Sequence, residues 1–206
     1  MTASEPASAG ASAERPTTTQ RPLRAHAQRN RDKLIAVARS AFATADETVS
    51  LESIAREAGV GIGTLYRHFP TREALVEAVY AAEIDAIATS APALLERFPP
   101  EMALRAWMDR YATFFAMKRG MADALRAGQA SGRIPTSTTR ERITASVMTI
   151  LAEGADTGSL RADVDPDDVT TMLVGIFLAT AALDTPEQTG RLLDLLIDAL
   201  RPQESR

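Results

Sequence analysis

The sequence predicts an all-α fold, and three observations in its 206 residues carry that prediction. Apolar residues recur three and four positions apart along most of the chain, which is the spacing of one helical face. No stretch alternates apolar and polar residues for long enough to form a strand. Short segments rich in Gly, Pro, Ser and Asp separate the periodic ones, at residues 98–101, 127–138, 157–168 and 184–188. We therefore expect helices joined by short loops.

Composition excludes several classes of protein. Hydrophobic residues make up 45% of the chain and charged residues 24%, as in ordinary globular proteins. The absence of cysteine excludes disulfides, thiolate metal sites and a cysteine nucleophile. Only His26 and His68 could supply imidazole, and neither catalytic motifs nor clustered oxygen ligands are present. We expect no enzyme activity, no catalytic residue, no metal site and no cofactor.

The sequence also bears on location. The longest uncharged apolar run, residues 169–183, is shorter than the roughly 20 residues of a membrane span. The N-terminal segment lacks the apolar core of a secretory signal. We therefore expect a cytoplasmic protein that has no membrane partner.

Charge is distributed unevenly along the chain. Residues 15–72 carry ten Lys or Arg against five Asp or Glu, whereas residues 73–206 carry thirteen against twenty. A basic front suggests contact with a polyanion, although an excess of this size also arises by ordinary variation. Residues 1–27 are rich in Ser, Ala, Thr and Pro, which predicts a disordered basic arm. Such an arm is either a solvated linker or a segment that lies along a nucleic-acid backbone.

Four helices are predicted in the first half of the chain. The first covers residues 30–45 and has one apolar face. The second begins after the N-cap residue Ser50 and ends at Gly59, which suits the left-handed position that follows a helix. The third ends before Pro70, and Thr71 caps the fourth.

The glycines of GVGIGTLYRHFP, residues 59–70, could mark either a phosphate-binding loop or a tight turn. A dinucleotide-binding loop needs a strand before it and a third glycine where this sequence has Thr64, and a P-loop needs a lysine. The preceding segment is helical, so the context favours helix, turn, helix. Ile62, Leu65 and Phe69 would pack the second helix against the first, which turns small and hydrogen-bonding side chains outward, as in helices that enter the DNA major groove.

Two of these glycines need a further reason. Glycine inside a helix costs about 1 kcal/mol relative to Ala, so Gly63 indicates that DNA approaches this helix closely. Gly61 is open to two interpretations, because it could simply occupy the turn.

Residues 50–75, SLESIAREAGVGIGTLYRHFPTREAL, closely resemble the DNA-binding domain of the TetR family of transcriptional regulators. The matching segments are IAREAGV, TLYRHF and TREAL, which follow ARSAF in the family's order and spacing. The resemblance covers about residues 28–80. It implies an all-α homodimer that binds a palindromic operator in double-stranded DNA. It also implies a repressor that a small-molecule effector releases; the alternatives are a regulator without an effector, or an activator.

The resemblance divides the chain and assigns its DNA contacts. The expected domains are the arm, 1–27, a TetR-type DNA-binding domain, 28–88, whose helix-turn-helix is 50–69, and a helical C-terminal ligand-binding and dimerisation domain, 89–206. The residues expected to bind DNA are Ser50, Gly61, Ile62, Gly63, Thr64, Tyr66, Arg67, His68, Thr71 and Arg72. Thr64 and Arg67 are the main candidates for reading bases. Arg67 could pair with guanine or contact a phosphate.

The C-terminal domain weakly resembles that of the SbtR-like branch of the family, and one predicted helix in it, residues 101–125, is rich in aromatic residues and Met. Such a cluster forms either a packed core or the lining of an apolar cavity. Together with the resemblance, it predicts a pocket for a small apolar or aromatic effector. The expected lining residues are Trp107, Met108, Tyr111, Phe115, Met148 and Phe177.

The last two predicted helices carry more apolar residues than one face of each requires. Burial against a second copy, as a four-helix bundle, would cover the excess and supply two DNA-reading heads. The expected dimer interface contains Met172, Gly175, Ile176, Ala179, Leu192, Leu196 and Leu200. A helical enzyme that carries the motif by coincidence is the remaining class of function, and the sequence offers it no nucleophile and base.

Overall fold

The computed structural model describes residues 20–44, 49–119, 121–134, 136–181 and 186–202, and these form ten α-helices and no strand. The helices are α1 Gln20–Thr44, α2 Leu51–Glu57, α3 Ile62–His68, α4 Arg72–Ala88, α5 Ser90–Leu95, α6 Pro100–Arg119, α7 Ala122–Ala130, α8 Thr136–Asp156, α9 Pro166–Ala181 and α10 Pro186–Leu200. The predicted all-α fold is confirmed. Within these ranges, no helix combines the length and apolarity that crossing a bilayer requires.

The first helix is longer than its apolar pattern predicts. It begins at Gln20, so residues 20–27 of the expected disordered arm are helical here, while residues 1–19 lie outside the described residues. Arg, Ala, Leu and Gln predominate before residue 30, and all four favour a helix. Pro22 is tolerated because the first turn of a helix leaves its amides unbonded. Helix propensity extends α1 beyond the segment that packs.

The predicted caps around the helix-turn-helix are confirmed. The Ser50 hydroxyl accepts a hydrogen bond from the Ser53 amide at 3.1 Å, and the Thr71 hydroxyl accepts one from the Ala74 amide at 3.2 Å. Gly59 has a φ of +67°, the left-handed conformation that side chains disfavour. The turn after α2 is therefore set by short-range stereochemistry.

The apolar faces of α1 to α4 meet in one core. Its buried members include Leu34, Ala38, Phe42, Ile54, Ala55, Leu65, Phe69, Leu75, Val76 and Val79. Ile62 differs from the expectation that it packs α3 inward, because its side chain is 39% exposed. It is the first residue of α3, whose buried residue is Leu65; Phe69, which follows the helix, is buried as well.

The C-terminal helices surround the end of α4. The indole nitrogen of Trp107 donates a hydrogen bond to the Ile87 carbonyl at 3.2 Å, and the Ser146 hydroxyl donates one to the Ala88 carbonyl at 2.9 Å. These side chains, from α6 and α8, satisfy carbonyls that the last turn of a helix leaves unpaired. The helix that follows the helix-turn-helix is therefore anchored in the C-terminal domain.

The aromatic-rich segment forms two helices rather than the single helix predicted for 101–125. α6 ends at Arg119 and α7 starts at Ala122. α6 packs against α5 and α8 on one side and against α10 on the other, and α9 packs against α8 and α10. α6 is therefore the central helix of this domain.

Candidate functional site

The outward side of α3 presents the residues that the sequence places next to DNA. Gly61, Gly63 and Arg67 are exposed, and Tyr66 is 45% exposed. Thr64 and His68 are partly exposed. Leu65, by contrast, is fully buried. Because α3 is a helix, its polar side chains occupy the arc opposite the one that holds it in the core.

The structure narrows the reasons for the two glycines of this face. Gly61 is the N-cap of α3, with φ −68° and ψ 146°, so it lies in the turn and its conformation is open to any residue. A Cβ added at Gly61 or at Gly63 would meet no atom within 4 Å. Neither glycine is needed for packing within the chain. Their effect is to leave the positions on either side of Ile62 without side chains.

The N-terminus of α4 favours negative charge. Its first amides have no partner within the helix, and the helix dipole adds partial positive charge. The pKa of the Glu73 carboxyl lies below its usual range, because its own backbone amide and the Thr71 side chain hydrogen-bond to it. Thr71 stands at the cap of this helix and is exposed. This turn has the electrostatics of a phosphate contact.

Arg72 has partners inside the domain that the sequence did not suggest. Its guanidinium donates a hydrogen bond to the Val49 carbonyl and lies 5.3 Å from the centroid of the Phe42 ring. These contacts connect the start of α4 to the segment before α2 and to α1. The guanidinium of Arg72 therefore already stabilises the fold, and a phosphate contact would use the same group.

A second contact between an arginine and an aromatic ring connects α1 to the end of α3. The Arg31 guanidinium lies 5.3 Å from the centroid of the Phe69 ring, which follows α3. Arginine over an aromatic face is attracted by the ring quadrupole. This contact brings the basic N-terminal half of α1 beside α3.

A cavity of about 420 Å³ lies between α6, α9 and α10. Of the six residues expected to line a pocket, Phe115 and Phe177 do so. Its other lining residues include Asp109, Thr113, Thr180 and Leu193. The aromatic pattern did not point to the hydroxyls or the carboxylate, because these groups lie at other positions of the same helices.

The other four residues of the expected pocket lie elsewhere. Trp107 and Met108 are fully buried in the core, and Tyr111 is nearly so, which raises the pKa of its phenol to about 12. Met148 is 54% exposed on α8. The physical reason is that α6 has two apolar sides. Trp107, Met108 and Tyr111 lie on the side packed into the core, while the other side borders the cavity.

The Lys118 amine is enclosed by aromatic rings rather than carboxylates. It lies 4.9 Å from the Phe115 ring centroid, and the Tyr80 and Phe114 centroids are 5.9 and 5.8 Å away. Burial lowers the pKa of this amine. Because Tyr80 belongs to α4, this cluster connects the cavity helix α6 to the helix that follows α3.

The hairpin of α9 and α10 exposes large apolar side chains. Met172 is 51% exposed, Leu178 62% and Leu195 63%. Gly175 and Ala179, on the same helix as Met172, are also exposed, and Ile176 and Leu192 are partly exposed. We call the surface formed by Met172, Gly175, Leu178, Ala179 and Leu195 the hairpin face.

Two residues of the expected dimer interface lie inside the subunit instead. Leu196 is 3% exposed and Leu200 4%, and they belong with Leu193 and Ile197 to the side of α10 that packs against α6 and α9. Leu178 and Leu195 present more apolar surface outward and were not among the expected interface residues. Leu192 and Leu195 widen the apolar side of α10 beyond the buried arc, so the spacing of the leucines did not show where its inner side ends.

Two family models match the chain. Residues 34–79 match bacterial regulatory proteins of the tetR family, and residues 99–202 match the C-terminal domain of SbtR-like transcriptional regulators. The first match spans α3 and the start of α4, and the second spans the cavity and the hairpin face. No curated protein matched the sequence.

Solved structures share the fold. The TetR transcriptional regulator SCO0520 from Streptomyces coelicolor is 45% identical, with 84% of this chain and 99% of that chain covered and a TM-score of 0.75. The TetR transcription regulatory protein from Mycobacterium vanbaalenii is 33% identical, with 88% and 100% covered and a TM-score of 0.68. A gamma-butyrolactone receptor, described as ArpA-like, is 24% identical, with 86% and 90% covered and a TM-score of 0.53.

The buried core of α1 to α4, the glycine turn and the exposed side of α3 define a helix-turn-helix DNA-binding protein. With both domain models matched and a relative at 45% identity, the chain belongs to the TetR family of transcriptional regulators. Its C-terminal domain is of the SbtR-like type. The family resemblance predicted from the sequence is confirmed.

Proposed function

We propose that this protein is a homodimeric repressor that binds a palindromic operator and is released by a small molecule held between α6, α9 and α10. The observation that carries the proposal is the exposed side of α3, where two glycines without packing partners precede Thr64 and Arg67. The missing side chains on either side of Ile62 would let the backbone at the start of α3 lie close to base edges in the major groove.

The proposed DNA contacts fall into two groups. Gly61, Ile62, Gly63, Thr64 and Arg67 would lie at or near the bases. Residues on α3 and at the starts of α2 and α4 would contact the DNA backbone: Ser50, Tyr66, His68, Thr71 and Arg72. The Ser50 hydroxyl accepts a hydrogen bond from the Ser53 amide, and the Thr71 hydroxyl accepts one from the Ala74 amide and donates to the Glu73 carboxyl. At this turn a phosphate oxygen would therefore bind the free amides at the N-terminus of α4.

TetR-family regulators bind DNA and dimerise, and the hairpin face is the surface that we propose pairs the two copies. Three large apolar side chains, each more than half exposed, would leave water there. A two-fold axis through this surface would bring together two α9–α10 hairpins as a four-helix bundle and would present two reading helices to a palindrome.

The effector would act through the cavity. Its volume is within the range of small-molecule sites, which run from about 300 to 1,000 Å³. The Lys118 amine contacts the ring of Phe115 on α6 and the ring of Tyr80 on α4. A ligand that displaces Phe115 would therefore change the packing of α4. DNA and ligand would then oppose each other through a coupling free energy. We propose no catalytic function, and we expect the protein to act in the cytoplasm, where the chromosome lies.

The experiment is selection of bound fragments of the source genome by the full-length protein. A repeated palindromic sequence among the fragments is expected, with affinity that falls steeply as salt is raised, because phosphate contacts release counterions. Enrichment of no sequence would overturn the proposal. A reporter under the selected site separates repression from activation.

The effector is tested by thermal denaturation against a varied panel of small molecules. A compound that raises the melting temperature and weakens operator binding is expected, since a ligand of the native state stabilises it by mass action. If no compound raised the melting temperature, the protein would be a regulator without an effector.

A further inference from the structure

Two threonine hydroxyls and one carboxylate of the cavity wall, those of Thr113, Thr180 and Asp109, can act towards a ligand as hydrogen-bond acceptors. The Thr113 hydroxyl donates its hydrogen to the Asp109 carbonyl at 2.9 Å, and the Thr180 hydroxyl donates its hydrogen to the Ile176 carbonyl at 2.9 Å. A hydroxyl has one hydrogen, so each oxygen has only lone pairs left for a ligand. An ionised Asp109 carboxylate likewise only accepts. A ligand that satisfies these three groups has to bring the hydrogens.

Asp109 is the charged side chain among the described residues that line the cavity. Arg105 forms an ion pair with Asp109, and its Nε also donates a hydrogen bond to Asp194 at 2.7 Å. One guanidinium thus serves two carboxylates. The Asp109 side chain remains 60% exposed. Within the described part of the chain, the residues that line the cavity include no Lys, Arg or His. Lys118 touches the Phe115 ring but is not one of them.

The remaining wall suits an apolar body with a positive end. The Phe115 and Phe177 rings lie 5.2 Å apart, inclined at 40°, and both border the cavity together with Leu193. Aromatic faces attract cations as well as apolar groups. Alkyl or aryl carbons packed here would leave water, which contributes about 25 cal/mol for each Å² of apolar surface buried.

One feature of the cavity opposes a cation. Pro186, Thr189 and Gly190 come from the first turns of α10 and also line the cavity, and a helix N-terminus favours anions. Glu187 stands in the same turn and supplies a negative charge of its own. Asp109 is the charged side chain among the described lining residues, and its partner Arg105, which lies beside Gly190, is shared with Asp194. The two carboxylates exceed the one guanidinium, so negative charge predominates.

We propose that the cavity binds a small organic cation, namely a primary or secondary amine on an aryl or alkyl body. The ammonium donates to Asp109 and to the Thr113 and Thr180 oxygens, and the apolar body packs between Phe115, Phe177 and Leu193. The inference rests on the proposed function only in that the amine would be the effector. The binding site itself is inferred from the two threonine acceptors, the Asp109 carboxylate and the rings of Phe115 and Phe177.

The test uses three probes that share one apolar body: 3-phenylpropylamine, 3-phenylpropan-1-ol and 3-phenylpropanoate. Each is titrated calorimetrically into the full-length protein at neutral pH. The amine is expected to bind about tenfold or more tightly than the alcohol, because hydrogen bonds between charged partners are stronger than neutral ones. The propanoate is expected to bind weakest, since it brings a second negative charge to acceptors.

Asp109→Asn removes the carboxylate with almost no change of shape. It is expected to abolish the preference for the amine over the alcohol, while binding of the alcohol changes little. Asp198→Asn is the matched control, because Asp198 lies on α10, pairs with Arg201 and does not line this cavity. It makes the same change of net charge and is expected to retain the preference. Thr113→Val removes a second acceptor and supplies an independent variant if Asp109→Asn does not fold.

Several results would overturn the inference: equal binding of amine and alcohol, tightest binding of the propanoate, an amine preference that survives Asp109→Asn, or no binding of any probe. Operator affinity measured in the same samples tests the proposed function separately. Amine binding that depends on Asp109 but leaves operator affinity unchanged would support this site and contradict release by an effector. Loss of all operator binding would contradict the repressor without affecting the site.

Discussion

Gly63 on the exposed side of α3 and Gly175 on the hairpin face are both exposed glycines. A Cβ added to either would meet no atom of the chain within 4 Å. Their neighbours differ. Gly63 stands near Tyr66 and Arg67, whereas Gly175 stands near Met172 and Leu178, each more than half exposed.

The difference between the two regions lies in what the surrounding side chains do with water. The groups around Gly63 hydrogen-bond to water when free and to phosphates and bases when bound, so that surface is stable in both conditions. The hairpin face exposes apolar carbon, which gains free energy only when another apolar surface covers it. A glycine without packing partners thus indicates close approach at both places, and its neighbours indicate the kind of partner.

The largest expected effect is on the hairpin face. Met172→Glu places a charge among Leu178 and Leu195 and is expected to convert the dimer to a monomer. Operator affinity should then fall by about a hundredfold or more, because binding of the second head is no longer intramolecular. Light scattering after gel filtration measures the first effect and fluorescence anisotropy the second.

Met148→Glu is the matched control for this prediction. Met148 is exposed to a similar extent, 54% against 51% for Met172, but lies on α8. It is expected to leave the dimer intact. If both variants stayed dimeric, the hairpin face would not be the interface.

The next effect concerns Arg67. Arg67→Ala is expected to weaken operator binding by about tenfold to a hundredfold, the usual loss for a base-contacting arginine. Arg67→Lys keeps the charge and separates two roles, since only the arginine fork pairs with guanine at two points. A lysine variant that binds as wild type, with unchanged sequence preference, would indicate a phosphate contact.

Arg39→Ala provides the comparison, because Arg39 is an exposed arginine whose partner is Glu83 within the chain. Its loss should leave operator affinity unchanged. Equal losses at Arg39 and Arg67 would mean that α3 is not the reading helix.

Arg72 distinguishes a fold contact from a DNA contact. Arg72→Met removes the hydrogen bond to the Val49 carbonyl and is expected to lower the free energy of unfolding by on the order of 1 kcal/mol. Urea denaturation measures the loss. Arg39→Met, which breaks an exposed ion pair, should cost less. If Arg72→Met weakened operator binding but left the free energy of unfolding unchanged, Arg72 would serve only as a phosphate contact.

The smallest effect is predicted at the two glycines. Gly63→Ala is expected to raise the free energy of unfolding by roughly 0.5 to 1 kcal/mol, since Ala favours the helix and nothing in the chain opposes its methyl group. Operator affinity should fall, because the methyl group meets DNA. Gly175→Ala should stabilise α9 similarly and weaken dimerisation instead. If Gly63→Ala gained stability without losing operator affinity, DNA would not approach Gly63 closely. The same gain in Gly175→Ala without weaker dimerisation would show that no second copy approaches Gly175.

The sequence was most informative where neighbouring residues decide the structure. The caps at Ser50 and Thr71, the left-handed Gly59 and the inward stripe of α1 to α4 depend on bonds and packing between residues a few positions apart. The recognisable order of these signals also identified the family. The helical extension of α1 to Gln20 was missed, because helix propensity without an apolar face leaves no periodic pattern.

The tertiary structure decided which side of each apolar helix is inside. The apolar residues of α6 and α10 extend beyond the arc that is buried, so periodicity alone does not show where the inner side of each helix ends. Trp107 and Met108 were buried on the core side of α6, where Trp107 meets the end of α4, and packing of α10 against α6 and α9 buried Leu196 and Leu200. What remained outside those contacts became the cavity with Asp109 and the hairpin face with Leu195. Burial depends on which distant helix arrives, and short-range spacing carries no information about that.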